Sequence, residues 1–138
     1  MEKDFELIDH TADVGVVAYG ADLGQAFSNA ARALFSLITE LGDVSEVIYR
    51  DIELAAPDEE DLLVAWLNEL IYLFDTENIL FRRFEVTVLD NRLQARVYGE
   101  KVDSSRHQLK TGVKAATYHM LGVSKDDSGC SVRVIFDI

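Results

Sequence analysis

The sequence predicts an α+β protein, a two-layer sandwich in which two helices pack on one face of a largely antiparallel or mixed sheet. Three observations carry this. Two stretches repeat their apolar residues at spacings of three and four, most of the rest alternates at period two, and the order is strands, helix, strand, helix, then several strands.

Phe5 and Leu7, then Val14, Val16 and Ala18, alternate as strands do. A helix follows, with Leu23, Ala26, Phe27, Ala30, Leu34, Leu37, Ile38 and Leu41 on one stripe. Asp22 suits its N-cap and Gly42 its C′ position. Ile48, Ile52 and Leu54 alternate again, interrupted only at Arg50. The second helix carries Leu63, Trp66, Leu67, Leu70, Ile71 and Phe74, and its start is marked by Pro57, the cap candidate Asp58 and a run of acids facing the helix dipole. Phe84, Val86 and Val88 then face Leu93, Ala95 and Val97 across Asp90-Asn91, which reads as a hairpin. Val113, Ala115 and Thr117 form a further strand, and Val132, Val134 and Phe136 the last.

The 138 residues suit one domain spanning 1–138, since neither a low-complexity stretch nor a Pro/Gly/Ser linker divides them and Pro57 is the only proline. A chain of this size buries enough surface for a core without disulfides or metals. A single cysteine excludes a disulfide framework within the chain and any zinc site built on several thiolates. No apolar run approaches the ~18 residues of a membrane span, and Met1-Glu2-Lys3-Asp4 lacks the basic head of a signal peptide. A cytoplasmic protein without membrane contact is expected.

The net charge of −12 is unevenly spread. Residues 1–77 hold 18 of the 25 acidic side chains against three bases, Lys3, Arg32 and Arg50, whereas the remainder carries ten bases against seven acids. Nucleic-acid binding without sequence preference depends on cations that displace phosphate counterions, and the first half repels such a backbone. Direct, autonomous nucleic-acid binding is therefore disfavoured. The acidic half can serve a basic partner or a metal ion, or simply keep the surface solvated.

Three places can carry chemistry. Asp9-His10-Thr11-Ala12-Asp13 sits between two apolar strands, where Asp and Thr side chains commonly build a turn. Its functional reading gives Asp13 as a carboxylate for a hard cation and His10 as a proton shuttle or orienting partner. The last strand runs into Asp137-Ile138 and stops, which places the Asp137 side chain beside the α-carboxylate of Ile138; the simpler alternative is a frayed terminus in water. Such charge needs water or a cation to compensate it, and if the Asp13 turn shares that sheet edge three carboxylates converge. All-oxygen ligands favour calcium or magnesium over zinc. Within 112–119, Lys114 is a lone base among small neighbours, able to reach a phosphate or a partner carboxylate, or simply a surface lysine. His107 and His119 lack a ligand-spaced companion and read as surface or satisfied residues, and Cys130 as a small strand residue. Phosphate loops, Gly-x-Ser-x-Gly elbows, Cys-x-x-Cys pairs and His-Glu-x-x-His helices do not occur, which disfavours an enzyme of a common class.

Asp-His-Thr-Ala-Asp-Val-Gly at 9–15, the helix entry at Gly20 and Leu23, Gly-Val-Lys-Ala-Ala-Thr-Tyr-His at 112–119 and the ending Val-Ile-Phe-Asp-Ile together resemble the archease family over essentially the whole chain. The resemblance implies a protein cofactor, itself non-catalytic, of the RNA ligase that joins 2′,3′-cyclic-phosphate or 3′-phosphate ends to 5′-hydroxyl ends in tRNA splicing and RNA repair. It implies that the chain promotes guanylation of that ligase and its return for further turnovers. It also implies a metal site at Asp13, Asp137 and Ile138 and a functional lysine at Lys114, and every one of these positions matches. A rival reading is a metal-dependent phosphoester hydrolase with His10 as general base and Asp13 and Asp137 holding the cation. A third is a passive chaperone that keeps the ligase from aggregating, indifferent to changes at the metal site.

Overall fold

The computed structural model of the chain describes residues 4–9 and 13–138. The elements run β1 (Phe5–Asp9), β2 (Asp13–Gly20), α1 (Leu23–Ile38), a 3-10 turn (Leu41–Asp43), β3 (Ile48–Ala55), α2 (Glu59–Glu77), β4 (Ile79–Leu89), β5 (Arg92–Lys101), β6 (Ala115–Asp126) and β7 (Gly129–Asp137). The α+β class, the two helices and the antiparallel pairing are as expected. Among the described residues, no helix is long and apolar enough to cross a membrane.

Both helix starts are set by the predicted caps. Asp22 Oδ1 accepts from Gln25 N at 2.8 Å while Gln25 Oε1 accepts from Ala21 N at 2.6 Å, a reciprocal box that satisfies two amides at the start of α1. Asp58 Oδ1 accepts from Asp61 N at 2.8 Å, and Glu59, Glu60 and Asp61 fill the first turn of α2. The end of α1 differs from expectation: the helix stops at Ile38 and Gly42 lies in the 3-10 turn rather than at C′. The reason is tertiary. Lys110 N and Thr111 N donate to the carbonyls of Ile38 and Leu37, at 2.7 and 3.2 Å, so a distant segment satisfies groups that a glycine cap would otherwise serve.

The strands divide between two antiparallel sheets, ordered β1-β2-β7-β6 and β3-β5-β4. At one edge strand of each sheet, β4 and β6, a helix side chain bonds to the strand backbone. On β4, the Phe84 carbonyl accepts from Ser28 Oγ of α1 at 2.9 Å, and Gly24 lies so close that an added Cβ would sit 2.4 Å from the Val86 carbonyl oxygen. On β6, Asn68 of α2 acts as a substitute strand: its Oδ1 accepts from Ala116 N at 2.8 Å and its Nδ2 donates to Ala116 O at 3.3 Å. Edges covered in this way do not recruit further strands. The β4–β5 hairpin turns through Asp90 and Asn91, both left-handed at φ 53° and 59°, and pairs Val88 with Leu93, Val86 with Ala95 and Phe84 with Val97. The predicted strand at 113–117 continues to Asp126 as β6, past a bulge in which residues 118–121 oppose Val134 and Met120 adopts φ 52°.

The core lies between helices and sheets and is anchored by Trp66, Phe27, Phe35, Phe81 and Phe136, all fully buried. Phe35 meets Phe81 edge-on at 5.7 Å and Trp66 meets Phe84 at 6.3 Å between ring centroids. Trp66 Nε1 donates to the Phe27 carbonyl at 3.0 Å, which ties α2 to α1. Trp66→Phe is expected to cost about 1–3 kcal/mol from the lost volume and bond together, measurable by urea unfolding with an unchanged slope.

Candidate functional site

The site is built by core packing on β2 and β7. Val14, Val16 and Ala18 alternate inward on β2, as Val132, Val134 and Phe136 do on β7, and all six are buried. Packing these residues against the helices pairs Val14 with Phe136, Val16 with Val134 and Ala18 with Val132. A slip of one residue would turn these six side chains to the other face, so the register is firmly set. The intervening pairs, Asp13 with Asp137, Gly15 with Ile135 and Val17 with Arg133, consequently share the opposite face.

Asp13 opens β2 and Asp137 closes β7, directly opposite one another at one end of the sheet. Residues so paired have Cα atoms about 4.5–5.5 Å apart and side chains on the same side. Asp13 is half-buried, with Oδ1 withdrawn from solvent, while Asp137 is exposed. Two residues along β2, Gly15 packs closely against the neighbouring strands: a Cβ there would lie 3.2 Å from Ile8 Cβ and 3.7 Å from Ile135 Cδ1. Ile138 follows Asp137 half-buried, its side chain against the core. Lys114 N donates to the Asp137 carbonyl at 2.8 Å, which brings an exposed lysine alongside the same strand end. Asp13, Asp137, Ile138 and Lys114 are thus gathered at one place in the fold, and His10 lies outside the described residues. Two carboxylates facing each other across strands repel, and their oxygens are the donors that calcium and magnesium take. Among the described residues, no three His, Cys, Asp or Glu side chains form a group that can hold a metal ion.

The segment that delivers Lys114, residues 102–114, crosses the end of α1 without regular structure of its own. Its anchor is His107, whose side chain is fully buried. His107 Nδ1 accepts from Asp103 N at 2.9 Å, which leaves the proton on Nε2, 3.0 Å from Glu100 Oε2 and 3.1 Å from the Asp43 carbonyl. Glu100, on β5, also accepts from Arg106 Nη2 at 2.5 Å and Ser45 N at 2.6 Å. The Arg106 bond foremost, then the Ser45 amide and His107, outweigh burial and hold the Glu100 carboxyl at about 2, below its ordinary 4.5. A carboxyl depressed on folding stabilises fully above its unfolded value and loses that contribution as pH falls through its folded value. The stability advantage of wild type over Glu100→Gln is therefore expected to be constant above about pH 4.5 and to vanish toward about pH 2, as read by denaturant titrations at stepped pH.

Neither remaining histidine or cysteine candidate joins this place. His107 is satisfied in the network just described, and His119 is exposed in the β6 bulge. Cys130 starts β7's pairing with Gly20 at the far end of the same strands, half-buried, with burial pushing its thiol up and away from nucleophilic use. What sequence reasoning did not reach is Glu100 as the partner of His107. The only signal was a charged residue at an apolar-looking strand end.

Residues 5–138 match the model of the archease protein family (MTH1598/TM1083). A protein archease of Sulfolobus acidocaldarius is 38% identical over 136 residues, 97% of this chain and 98% of that protein. The protein archease of Methanosarcina barkeri is 39% identical over 141 residues, covering 99% and 97% of the two chains. In three dimensions the chain superimposes on the solution structure of Methanobacterium thermoautotrophicum protein 1598 with a TM-score of 0.86 and 38% identity, over 98% of this chain and 99% of that one. A Thermotoga maritima structure described as an archease and possible chaperone shares the fold, with a TM-score of 0.66 and 21% identity over 100% and 98% of the chains. With a family model spanning nearly all of its length and relatives of this identity covering it end to end, the chain belongs to the archease family.

Proposed function

We propose that the chain is a non-catalytic protein cofactor of a GTP-dependent RNA ligase of the tRNA-splicing type, promoting ligase guanylation and repeated turnover through a cation-bearing acidic tip. Asp13, Asp137 and Ile138 would hold one divalent cation, calcium or magnesium, with further oxygens from backbone or water completing its shell. Such an ion, held by these residues, would neutralise the facing carboxylates and supply a positive centre for the partner's phosphate or carboxylate groups. Lys114 and His10 would engage the partner.

The observation that carries this reading is the direct pairing of Asp13 with Asp137, which core packing imposes despite the repulsion between them. Membership of the archease family supports the ligase as partner. Charge is consistent with it: a chain of net charge −12 avoids RNA but is drawn to a protein surface rich in phosphate-binding cations, where complementarity speeds encounter and selects partners. A cofactor acts on the ligase only through higher affinity for the guanylation-competent conformation.

The test is single-turnover guanylation of such a ligase with GTP and divalent ion, with and without the chain. A faster reaction in its presence is expected, together with no turnover of a small phosphoester panel by the chain alone. An unchanged ligase rate overturns the cofactor reading. Phosphoester turnover by the chain alone, lost in His10→Ala, establishes the hydrolase instead.

A further inference from the structure

We propose that the β6 bulge at residues 118–121 is a docking knuckle, whose Tyr118 and Met120 side chains enter an apolar pocket rimmed by lysine or arginine on the partner ligase. The inference rests on the ligase reading given above and adds to it the place where the two proteins hold together.

The bulge is unfavourable to form and firmly held. Met120 has a left-handed backbone, at φ 52°, which glycine and asparagine adopt readily and a long apolar residue does not. Backbone strain of this kind persists only where the surroundings impose it. On the near side, Asn68 of α2 bonds to both N and O of Ala116, and Thr117 Oγ1 donates to the Ile135 carbonyl at 2.9 Å. On the far side, Leu121 packs against the core and Gly122 resumes the ladder opposite Arg133.

Between these fixed ends Tyr118, His119 and Met120 are all exposed, Tyr118 to 62% and Met120 to 52%. Regular alternation would turn part of this stretch toward the core, whereas the bulge turns three successive side chains outward. Two large apolar side chains are thereby presented to solvent on a constrained backbone. The Tyr118 hydroxyl is pinned as well, by a hydrogen bond with Asp61 of α2. A ring held in this way loses little freedom on binding, which suits an interface anchor.

Charge selects the occupant. Asp58 and Asp61 lie close enough to act on the Tyr118 hydroxyl, and the exposed Glu60 sits between them in the chain. In the other direction Ala115 pairs with Asp137, which puts Tyr118 about 10 Å along β6 from the Asp13–Asp137 pair. The bulge is therefore continuous with the acidic tip. An apolar pair bordered by acids complements an apolar pocket bordered by bases, and disfavours a second copy of this chain, which brings the same acids.

The experiment measures ligase affinity, and guanylation at rising chain concentration, for wild type, Tyr118→Ala, Tyr118→Phe and Met120→Asn. Asparagine suits the left-handed backbone, so Met120→Asn is expected to equal or exceed wild type in urea stability while binding the ligase on the order of 30-fold more weakly. Tyr118→Ala weakens binding to a similar degree, and Tyr118→Phe, which keeps the ring, retains most of it. Raising the concentration of either weakened variant restores full guanylation, and calcium titration of each alone matches wild type. Wild-type affinity in Met120→Asn overturns the proposal, even where Tyr118→Ala fails to fold. A guanylation defect in Met120→Asn that concentration does not restore also overturns it, because docking is then intact. Self-association of wild type, abolished in Met120→Asn, gives the bulge to a second copy and refutes the ligase as its occupant. Absence of any ligase binding by wild type refutes the ligase reading itself and this proposal with it, a result distinct from variants that bind as wild type does.

Discussion

Asp137→Ala is expected to lower cation affinity, and with it ligase activation, by on the order of 100-fold, the scale on which metal sites respond to loss of a supporting group or more. Its effect on the metal-free fold runs the other way. Asp137 is exposed and faces Asp13 across the β2–β7 ladder, so its removal relieves a like-charge pair and leaves the core untouched. Melting without divalent ion should thus be unchanged or slightly raised. Adding calcium or magnesium should stabilise wild type by mass action and leave the variant where it was. Guanylation assays and paired melting curves check both halves. A variant that is unstable in the absence of ion, or that activates the ligase normally, contradicts the assignment.

Phe136→Ala is expected to cost about 3–5 kcal/mol, the range for emptying a buried aromatic site. Phe136 is fully buried, packs in the main core and pairs with Val14 on one side and Ala116 on the other. Its larger consequence is for the neighbouring residue. Phe136 is the last inward anchor before Asp137, so without it the strand end is no longer held in register against Asp13 and cation binding weakens in proportion. Phe136→Leu keeps an apolar anchor and should retain the site at a smaller stability cost. Chemical denaturation measures the first effect and cation titration the second. A destabilised Phe136→Ala that still binds the ion at wild-type strength would separate the site from the packing said to create it.

Elements whose own pattern decides their structure were legible. The inward alternation of β2 and β7, the caps Asp22 and Asp58, and the Asp90-Asn91 turn each follow from local chemistry, and the register across that hairpin appears as read. What depends on distant partners was not. The end of α1 is decided by Lys110 and Thr111, some seventy residues downstream, so Gly42 looked like a cap without being one. Tyr118, His119 and Met120 break alternation and hid the continuation of β6 past its bulge. The division into two sheets, with Ser28 and Asn68 bonded to the backbone of the edge strands β4 and β6, is something no periodicity reports. At the site, Asp13 and Asp137 were each visible as polar ends of apolar strands. Their meeting follows only once Val14, Val16, Val134 and Phe136 are placed inward together. His107 was invisible as an anchor because Glu100 and Asp43, which satisfy it, lie in other elements.

Calorimetric titration of calcium and of magnesium into wild type, Asp13→Asn and Asp137→Asn tests the central claim most directly, since asparagine keeps the shape of each side chain and removes its charge. One ion bound per wild-type chain, and none at comparable affinity in either variant, is the predicted result. Equal binding by all three chains, or none by wild type, would contradict the claim that strand register brings these two carboxylates together to hold a cation.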